Sequence, residues 1–281
     1  MPITLTGLRR YPVKSCRGDD LAEAVIERWG LAGDRRWMVV DETARAVTAR
    51  EVHRMLQIVP ELVPGGLRLN GPGVDPLVVA EPAAPSGDVE IWDDVVPAGA
   101  GGDDADAWLS AVLGLSVRLV FLDDPLARPI SRRFAEDGDV VSFADAYPLL
   151  LASEDSLSRL NDWIADGPRP EEGPLAITRF RPNLIVSGAL PFAEDGWVRI
   201  RIGDATFRVV KGCDRCVLTT LDPQTGEKQM EPITSLARHR RWDGKTWFAT
   251  NVIPDTPGAT LRLGDEVEVV ETRDASDGPV R

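Results

Sequence analysis

Val198-Arg199-Ile200-Arg201-Ile202-Gly203-Asp204-Ala205-Thr206-Phe207-Arg208-Val209-Val210 decides the fold class. Two strand-like runs flank Gly203-Asp204, a pair suited to a tight turn. The same pattern recurs along the chain. Residues 37–40 are apolar and partly β-branched and break at Asp41-Glu42, with 46–48 as a returning hairpin partner. Leu67-Arg68-Leu69 alternates and meets Asn70-Gly71, a hairpin signal. Residues 77–79, 89–92, 117–122, 184–186 and 217–220 read as further strands. Residues 261–263 and 267–270 flank Gly264-Asp265 as another hairpin. A spacing of roughly 8–12 residues between turn signals points to a barrel or sandwich rather than βαβ units.

Two segments carry helix signals instead. Residues 103–113 have an acidic first turn and apolar Ala107, Leu109, Ala111 and Val112. Residues 153–164 begin with Ser153 as N-cap and acidic Glu154 and Asp155, then space Leu157, Leu160, Trp163 and Ile164 along one face. Residues 72–102, rich in Pro, Gly and Asp, read as a linker or a long acidic loop. Residues 274–281 read as a frayed tail.

The chain has 281 residues, 45 acidic against 32 basic, for a net charge of −13. That balance argues against nucleic acid or an anionic membrane surface as partner, since both need a basic footprint. Three cysteines, Cys16, Cys213 and Cys216, make no disulfide framework and fit a reducing cytoplasm. No secretory signal and no membrane-spanning apolar run is read. The charge is uneven. Residues 1–60 hold 10 basic and 8 acidic side chains, and 176–220 hold 7 and 4, so these stretches are +2 and +3 and the remainder is −18.

Those two positive stretches carry the candidate chemistry. Cys213-Asp214-Arg215-Cys216 is a C-x-x-C pair, but structural zinc needs four ligands, and Cys16, His53 and His239 lie at no knuckle spacing. A thioredoxin-like pair would open a helix, whereas β-branched residues follow here. A plain buried cysteine is the alternative for each. Arg215 and Lys211 lie close to Cys216 and favour a thiolate. Lys14-Ser15-Cys16-Arg17-Gly18 forms a donor-rich turn able to hold phosphate, or simply a solvated basic turn. Arg35, Arg50 and the Arg181-Pro182-Asn183 segment offer forks and amides, with surface salt bridging or an ordinary polar loop as the bland readings.

Six segments in order then match a known family: 11–18 (YPVKSCRG), 34–37 (DRRW), 47–51 (VTARE), 143–153 (FADAYPLLLAS), 181–186 (RPNLIV) and 213–226 (CDRCVLTTLDPQTG). The chain resembles MOSC-domain proteins that carry an N-terminal MOSC β-barrel domain, and among them the amidoxime-reducing components. The resemblance implies a mainly β fold with a minor α+β share. An N-terminal β-barrel-like domain (1–122) would precede a MOSC β-barrel domain (123–281) with a few helices. It implies a molybdenum cofactor (Mo-molybdopterin) whose metal binds Cys216, the catalytic ligand. Lys14, Ser15, Arg35, Tyr147, Arg181, Asn183, Asp214 and Arg215 would complete the cofactor site. At family level the resemblance also brings a pyridoxal phosphate term.

The implied activity is reduction of N-hydroxylated small molecules, with oxygen leaving as water after two electrons and two protons. Electrons would come from a separate ferredoxin-, flavodoxin- or cytochrome b5-type donor. A cofactor-carrier or sulfurase-like sulfur-carrier role without turnover is the second implication. Three cysteines are too few for a [2Fe–2S] domain, which takes four. Two departures stand out: Asp214 replaces the serine of amidoxime reducers, and Ala146-Tyr147 replaces their Thr-Ser.

Overall fold

A computed structural model describes residues 2–131 and 133–281. The opening hairpin is present: Trp197–Ile202 and Ala205–Asp214 pair antiparallel, with Ile202 opposite Ala205 across Gly203 at φ 54°. Ile200, Ile202 and Phe207 point inward and are fully buried. Arg199 and Arg208 point outward and share Asp255. Strand alternation thus separates core from solvent face.

The hairpin belongs to the largest sheet among the described residues. Its order is Val267–Thr272, Trp197–Ile202, Ala205–Asp214, Lys245–Pro254, Leu149–Ser153, Leu184–Ser187, Thr4–Arg10, Asp19–Leu21. Trp37–Val40, Arg118–Phe121, Asp94–Ala100 and Gly87–Ile91 form a second sheet. Smaller sheets join Thr260–Arg262 to Glu23–Glu27 and Gly30–Leu31, and Val59–Val63 to Gly66–Asn70 and Leu77–Ala80. Helices α1 (Asp103–Leu113) and α2 (Glu154–Ala165) lie where the apolar spacing puts them. Ser153 caps α2, accepting from Ser156 N at 3.3 Å.

Chain order and packing diverge. Thr4–Arg10 pairs with Leu184–Ser187 on one side and Asp19–Leu21 on the other. Leu5, Leu8, Ile26 and Leu31 therefore pack with Leu149, Leu151, Leu184 and Phe207 in one core. In exchange, Leu221 packs into the first-half core with Trp37, Val39, Leu56 and Leu119. The division expected at 122/123 follows chain order, while strand pairing and packing cross it. Asp34 sits at this crossing with no exposed surface. It accepts from Tyr11 N at 2.8 Å, Asn183 Nδ2 at 3.1 Å and Arg35 Nη1 at 2.5 Å.

Several local expectations are corrected. Gly264-Asp265 does not join two paired strands. Thr260–Arg262 pairs with Glu23–Glu27, and Val267–Thr272 with Trp197–Ile202. Leu5 N donates to Asp265 O, so the first strand meets the turn itself. Val217–Thr220 is a 3-10 turn rather than a strand, because the Thr219 and Thr220 hydroxyls donate back to Cys216 O and Val217 O. Residues 72–102 are neither linker nor open loop, since they include three strands. Asn70-Gly71 does not close a two-residue hairpin: Gly66–Asn70 pairs with Leu77–Ala80 across a longer connection. The C-terminal tail is docked, not frayed. Gly212 N donates to Val280 O at 2.9 Å, and Gly278 and Pro279 are buried. A third helix, α3 (Ile233–His239), carries too short an apolar pattern to have been read from the sequence.

Two stability measurements follow from buried carboxylates. Asp34→Ala leaves the Arg35 guanidinium buried without its charge partner, and the expected loss is about 3–5 kcal/mol in denaturant unfolding. A loss below ~1 kcal/mol would contradict the knitting role of Asp34. Glu194 is 1 % exposed and accepts from Ser156 Oγ at 2.7 Å. Burial pushes its carboxyl up from 4.5 to about 7; the Ser156 bond opposes the shift and the charge of Asp195 adds to it. A raised folded-state pKa stabilises fully below the unfolded value, and that contribution is lost as pH rises through the folded one. Wild type should therefore lose about 2–3 kcal/mol relative to Glu194→Gln between pH 4.5 and pH 7, read from paired unfolding curves. Parallel pH profiles for the two proteins would contradict the buried ionisation.

Candidate functional site

A cleft of about 290 Å³ opens where the two halves meet, and both positive stretches of the sequence contribute to its wall. Its size lies at the lower end of small-molecule sites. The turn 14–18 folds against Tyr11 because Gly18 lacks a side chain: a Cβ there would lie 2.6 Å from the Tyr11 ring. Lys14, 4 % exposed, thereby reaches Phe143 O at 2.9 Å and Asp145 Oδ1 at 2.5 Å. Burial holds its ammonium down at about 8, against the pull of Asp145.

Tyr11 organises two guanidinium groups. Its ring lies 4.6 Å from the Arg35 guanidinium carbon and 4.3 Å from that of Arg181, and its hydroxyl donates to Pro182 O. Arg35 Nη1 bonds Asp34 and, at 3.1 Å, Asn183 Oδ1. Arg181 Nη1 donates to Cys16 O at 2.8 Å. Ser15, Arg35 and Arg181 adopt φ of 67°, 49° and 56°. Such backbone is costly outside glycine and gathers at functional sites.

The C-x-x-C segment forms another wall. Arg215 donates Nη1 to Cys213 Sγ at 2.8 Å and Nη2 to Phe180 O at 2.9 Å. Burial pushes the Cys213 thiol up, and Cys16 is raised to about 12 by the same cause. Cys216 is the exposed thiol of the three. Arg50 Nε donates to its Sγ at 3.4 Å, and Arg50 Nη2 donates to Asp145 Oδ2 at 2.8 Å. Asp145 is 55 % exposed at the cleft mouth. Partial desolvation by the cleft wall raises its carboxyl, but Lys14, Arg50 and Arg35 together outweigh that and hold it well below the usual range.

The donor set suits an anionic cofactor with a soft metal. Six cations, Lys14, Arg35, Arg50, Arg181, Lys211 and Arg215, line the cleft with two carboxylates, Asp145 and Asp214. Arg181 Nη2 and Arg215 Nε are buried without a partner within the protein. Unpaired buried donors beside an exposed thiol fit a group that brings acceptor oxygens and a thiolate-binding metal. Among the described residues no three of His, Cys, Asp and Glu gather as a metal cluster. The residues present therefore fit a cofactor that brings its own metal ligands and takes one thiolate from the chain.

The structure brings all nine sequence-nominated residues to this cleft: Lys14, Ser15, Arg35, Tyr147, Arg181, Asn183, Asp214, Arg215 and Cys216. Their availability differs. The Asn183 amide is filled by protein, bonding Arg35, Leu150 N, Arg9 O and Asp34. Asp214 is held by Lys245 at 2.9 Å and Lys211 at 3.6 Å. Tyr147 packs beside Ile130, Val141, Ala144 and Ile253, and burial pushes its phenol up. Arg50 reads from the sequence as a fork but is not among the cofactor residues the resemblance implies, and Asp145 and Tyr11 carry no such reading. Arg50 lies inside the quoted VTARE segment and Asp145 inside FADAYP, so proximity to motifs was the available signal.

Two family models match the chain. A MOSC N-terminal β-barrel domain model matches residues 3–116, and a MOSC domain model matches residues 138–268. "Mitochondrial amidoxime-reducing component 1" of Xenopus laevis is 34 % identical over 83 % of this chain and 70 % of its own length. The Mus musculus protein of the same name is 33 % identical over 94 % of this chain and 81 % of its own. "Molybdenum cofactor sulfurase" of Solanum lycopersicum is 29 % identical over 94 % of this chain, which spans 35 % of that protein. Neither the pyridoxal phosphate term nor a cytoplasmic location draws support from these names. Among the described residues no helix is long and apolar enough to cross a membrane. With both domain models in order and relatives aligned over most of its length, the chain belongs to the MOSC-domain proteins that carry an N-terminal MOSC β-barrel domain.

Proposed function

We propose that this protein is a molybdenum-cofactor oxidoreductase that reduces N-hydroxylated small molecules, fed by a separate donor protein of ferredoxin, flavodoxin or cytochrome b5 type. The observation that carries the reading is the exposed Cys216 thiol in a cleft of six cations, two of which keep buried unpaired donors. The names of the amidoxime-reducing relatives supply the substrate class. When bound, such a cofactor supplies the two-electron redox chemistry at its metal.

The chain's own residues bind, orient and move protons. Cys216 would give the metal its protein thiolate, a soft donor suited to it. Arg181 and Arg215 would hold the anionic part of the group, with Lys14, Ser15 and Arg35 alongside. Lys14 Nζ, held down at about 8, keeps a proton that it can exchange near neutral pH. Asp145 takes one hydrogen bond from Lys14 and one from Arg50, so it links that proton to the sulfur side of the cleft. Where amidoxime reducers carry a serine, Asp214 is neutralised by Lys245 and Lys211 and adds no net negative charge to the anion site.

The test is molybdenum by elemental analysis of protein made in a cofactor-competent host, with Cys216→Ala beside it. The expected result is molybdenum in wild type and little in the variant. An N-hydroxylated probe and an artificial electron donor should then give turnover in wild type alone. Equal molybdenum in both proteins overturns the assignment of Cys216. Bound metal without turnover favours the cofactor-carrier or sulfurase-like reading, which the sulfurase relative supports.

A further inference from the structure

The hairpin between Gly87–Ile91 and Asp94–Ala100 turns on two residues, Trp92 and Asp93, because Ile91 pairs with Asp94. Trp92 stands there at φ 56°. Two-residue hairpin turns with positive φ favour glycine, asparagine or aspartate, and a bulky residue in that region is strained. The occupant is nevertheless the largest side chain available. Its ring is 48 % exposed, yet it lies 4.5 Å from the Arg50 guanidinium carbon and 5.3 Å from Lys14 Nζ. Both cations belong to the cleft.

The hairpin is anchored so that this contact is fixed. Asp94 accepts from Arg128 Nε at 2.9 Å. Arg128, 2 % exposed, also donates to Ser142 O at 2.5 Å and Ala144 O at 2.6 Å, in the segment that carries Asp145. On the other strand, Glu90 accepts from Arg45 at 2.8 Å. An aromatic face from the first half of the chain is thus pinned onto a cation that touches a sulfur of the second half. A long arginine side chain samples many rotamers unless its planar group is stacked or forked. Arg50 is held on three sides, by the Trp92 ring 4.5 Å from its guanidinium carbon, by Asp145 on Nη2 and by Cys216 on Nε.

We propose that Trp92 is a positioning residue whose indole holds the Arg50 guanidinium against the Cys216 sulfur. The strain at Trp92 is retained because the ring over the guanidinium sets the charge and direction that meet this sulfur. The inference deepens the functional reading and rests on it only in taking Cys216 as the reactive sulfur.

The experiment compares alkylation of Cys216 by iodoacetate and by iodoacetamide in the full chain made without cofactor, followed by peptide mass spectrometry. Both reagents consume the thiolate, so the ratio of their rates reads the local charge and not the thiol's ionisation. A guanidinium beside the sulfur favours the anionic reagent. Trp92→Gly and Trp92→Asn, both suited to the positive φ, should lower the ratio about fivefold, the effect of one unit charge at ~4 Å in water-like surroundings. Arg50→Gln should lower it equally, and Trp92→Phe should keep most of it. The thermal midpoint of Trp92→Gly should hold or rise, which separates positioning from loss of fold.

An unchanged ratio in Trp92→Gly and Trp92→Asn, or in Arg50→Gln, would overturn the proposal. A fall in Trp92→Phe as deep as in Trp92→Gly would also overturn it, because the aromatic face would then not be what acts. No molybdenum or turnover enters the measurement. A Trp92-dependent ratio in a protein that never reduces an N-hydroxylated compound would contradict the proposed function and leave this inference standing.

Discussion

Asp34 is a carboxylate with no exposed surface, and the two halves of the chain are joined through it. A buried charge is tolerated only when paired and hydrogen-bonded. Its partners come from both sides of the crossing: Tyr11 N and Arg35 from the first half, Asn183 from the second. Asn183 completes the tie by bonding Arg9 O and Leu150 N. Once these bonds form, the first strand is fixed beside Leu184–Ser187, and Tyr11 is fixed between Arg35 and Arg181. The cleft is therefore a consequence of how the chain is knitted and not a pocket added to a finished barrel.

The same knitting explains where charge collects. Of the non-glycine residues with positive φ, Ser15, Arg35 and Arg181 line the cleft and Trp92 stands against it, while Ala44, Phe192, Asp243 and Ala249 lie elsewhere. Six cations face one another there, in a chain of net charge −13. Such a cluster is unfavourable unless offset, and Asp34, Asp145 and Asp214 offset only part of it. The unpaired donors of Arg181 and Arg215 leave a demand for acceptor oxygens that an anionic group would meet.

Much of this was legible in the residues, for local reasons. The Gly203-Asp204 hairpin and helices α1 and α2 depend on short-range signals, and they form as read. Strand partners do not depend on short-range signals. Gly264-Asp265 turns the chain, but its flanking strands pair with residues far away in sequence. Val217–Thr220 misled because β-branched composition suggests a strand, while two threonine hydroxyls bond back and tighten a turn. The nominated site residues rested on ordered motifs, and they converge. The contacts of Arg50 and Trp92 are not legible in the sequence, for another reason. Arg50 meets a sulfur 166 residues away, and Trp92 reads as the end of a strand until its φ is seen. Arg50 lies in a quoted motif that marks it as a fork without naming its partners, and nothing within a few residues of Trp92 distinguishes it from an ordinary strand residue.

The most direct measurement is a crystal structure of the loaded protein with diffraction collected at the molybdenum absorption edge. The expected result is an anomalous peak within bonding distance of Cys216 Sγ, with the organic part of the group reaching the free donors of Arg181 and Arg215. A peak away from the cleft, or a loaded protein whose Cys216 sulfur carries no metal, would contradict the central claim.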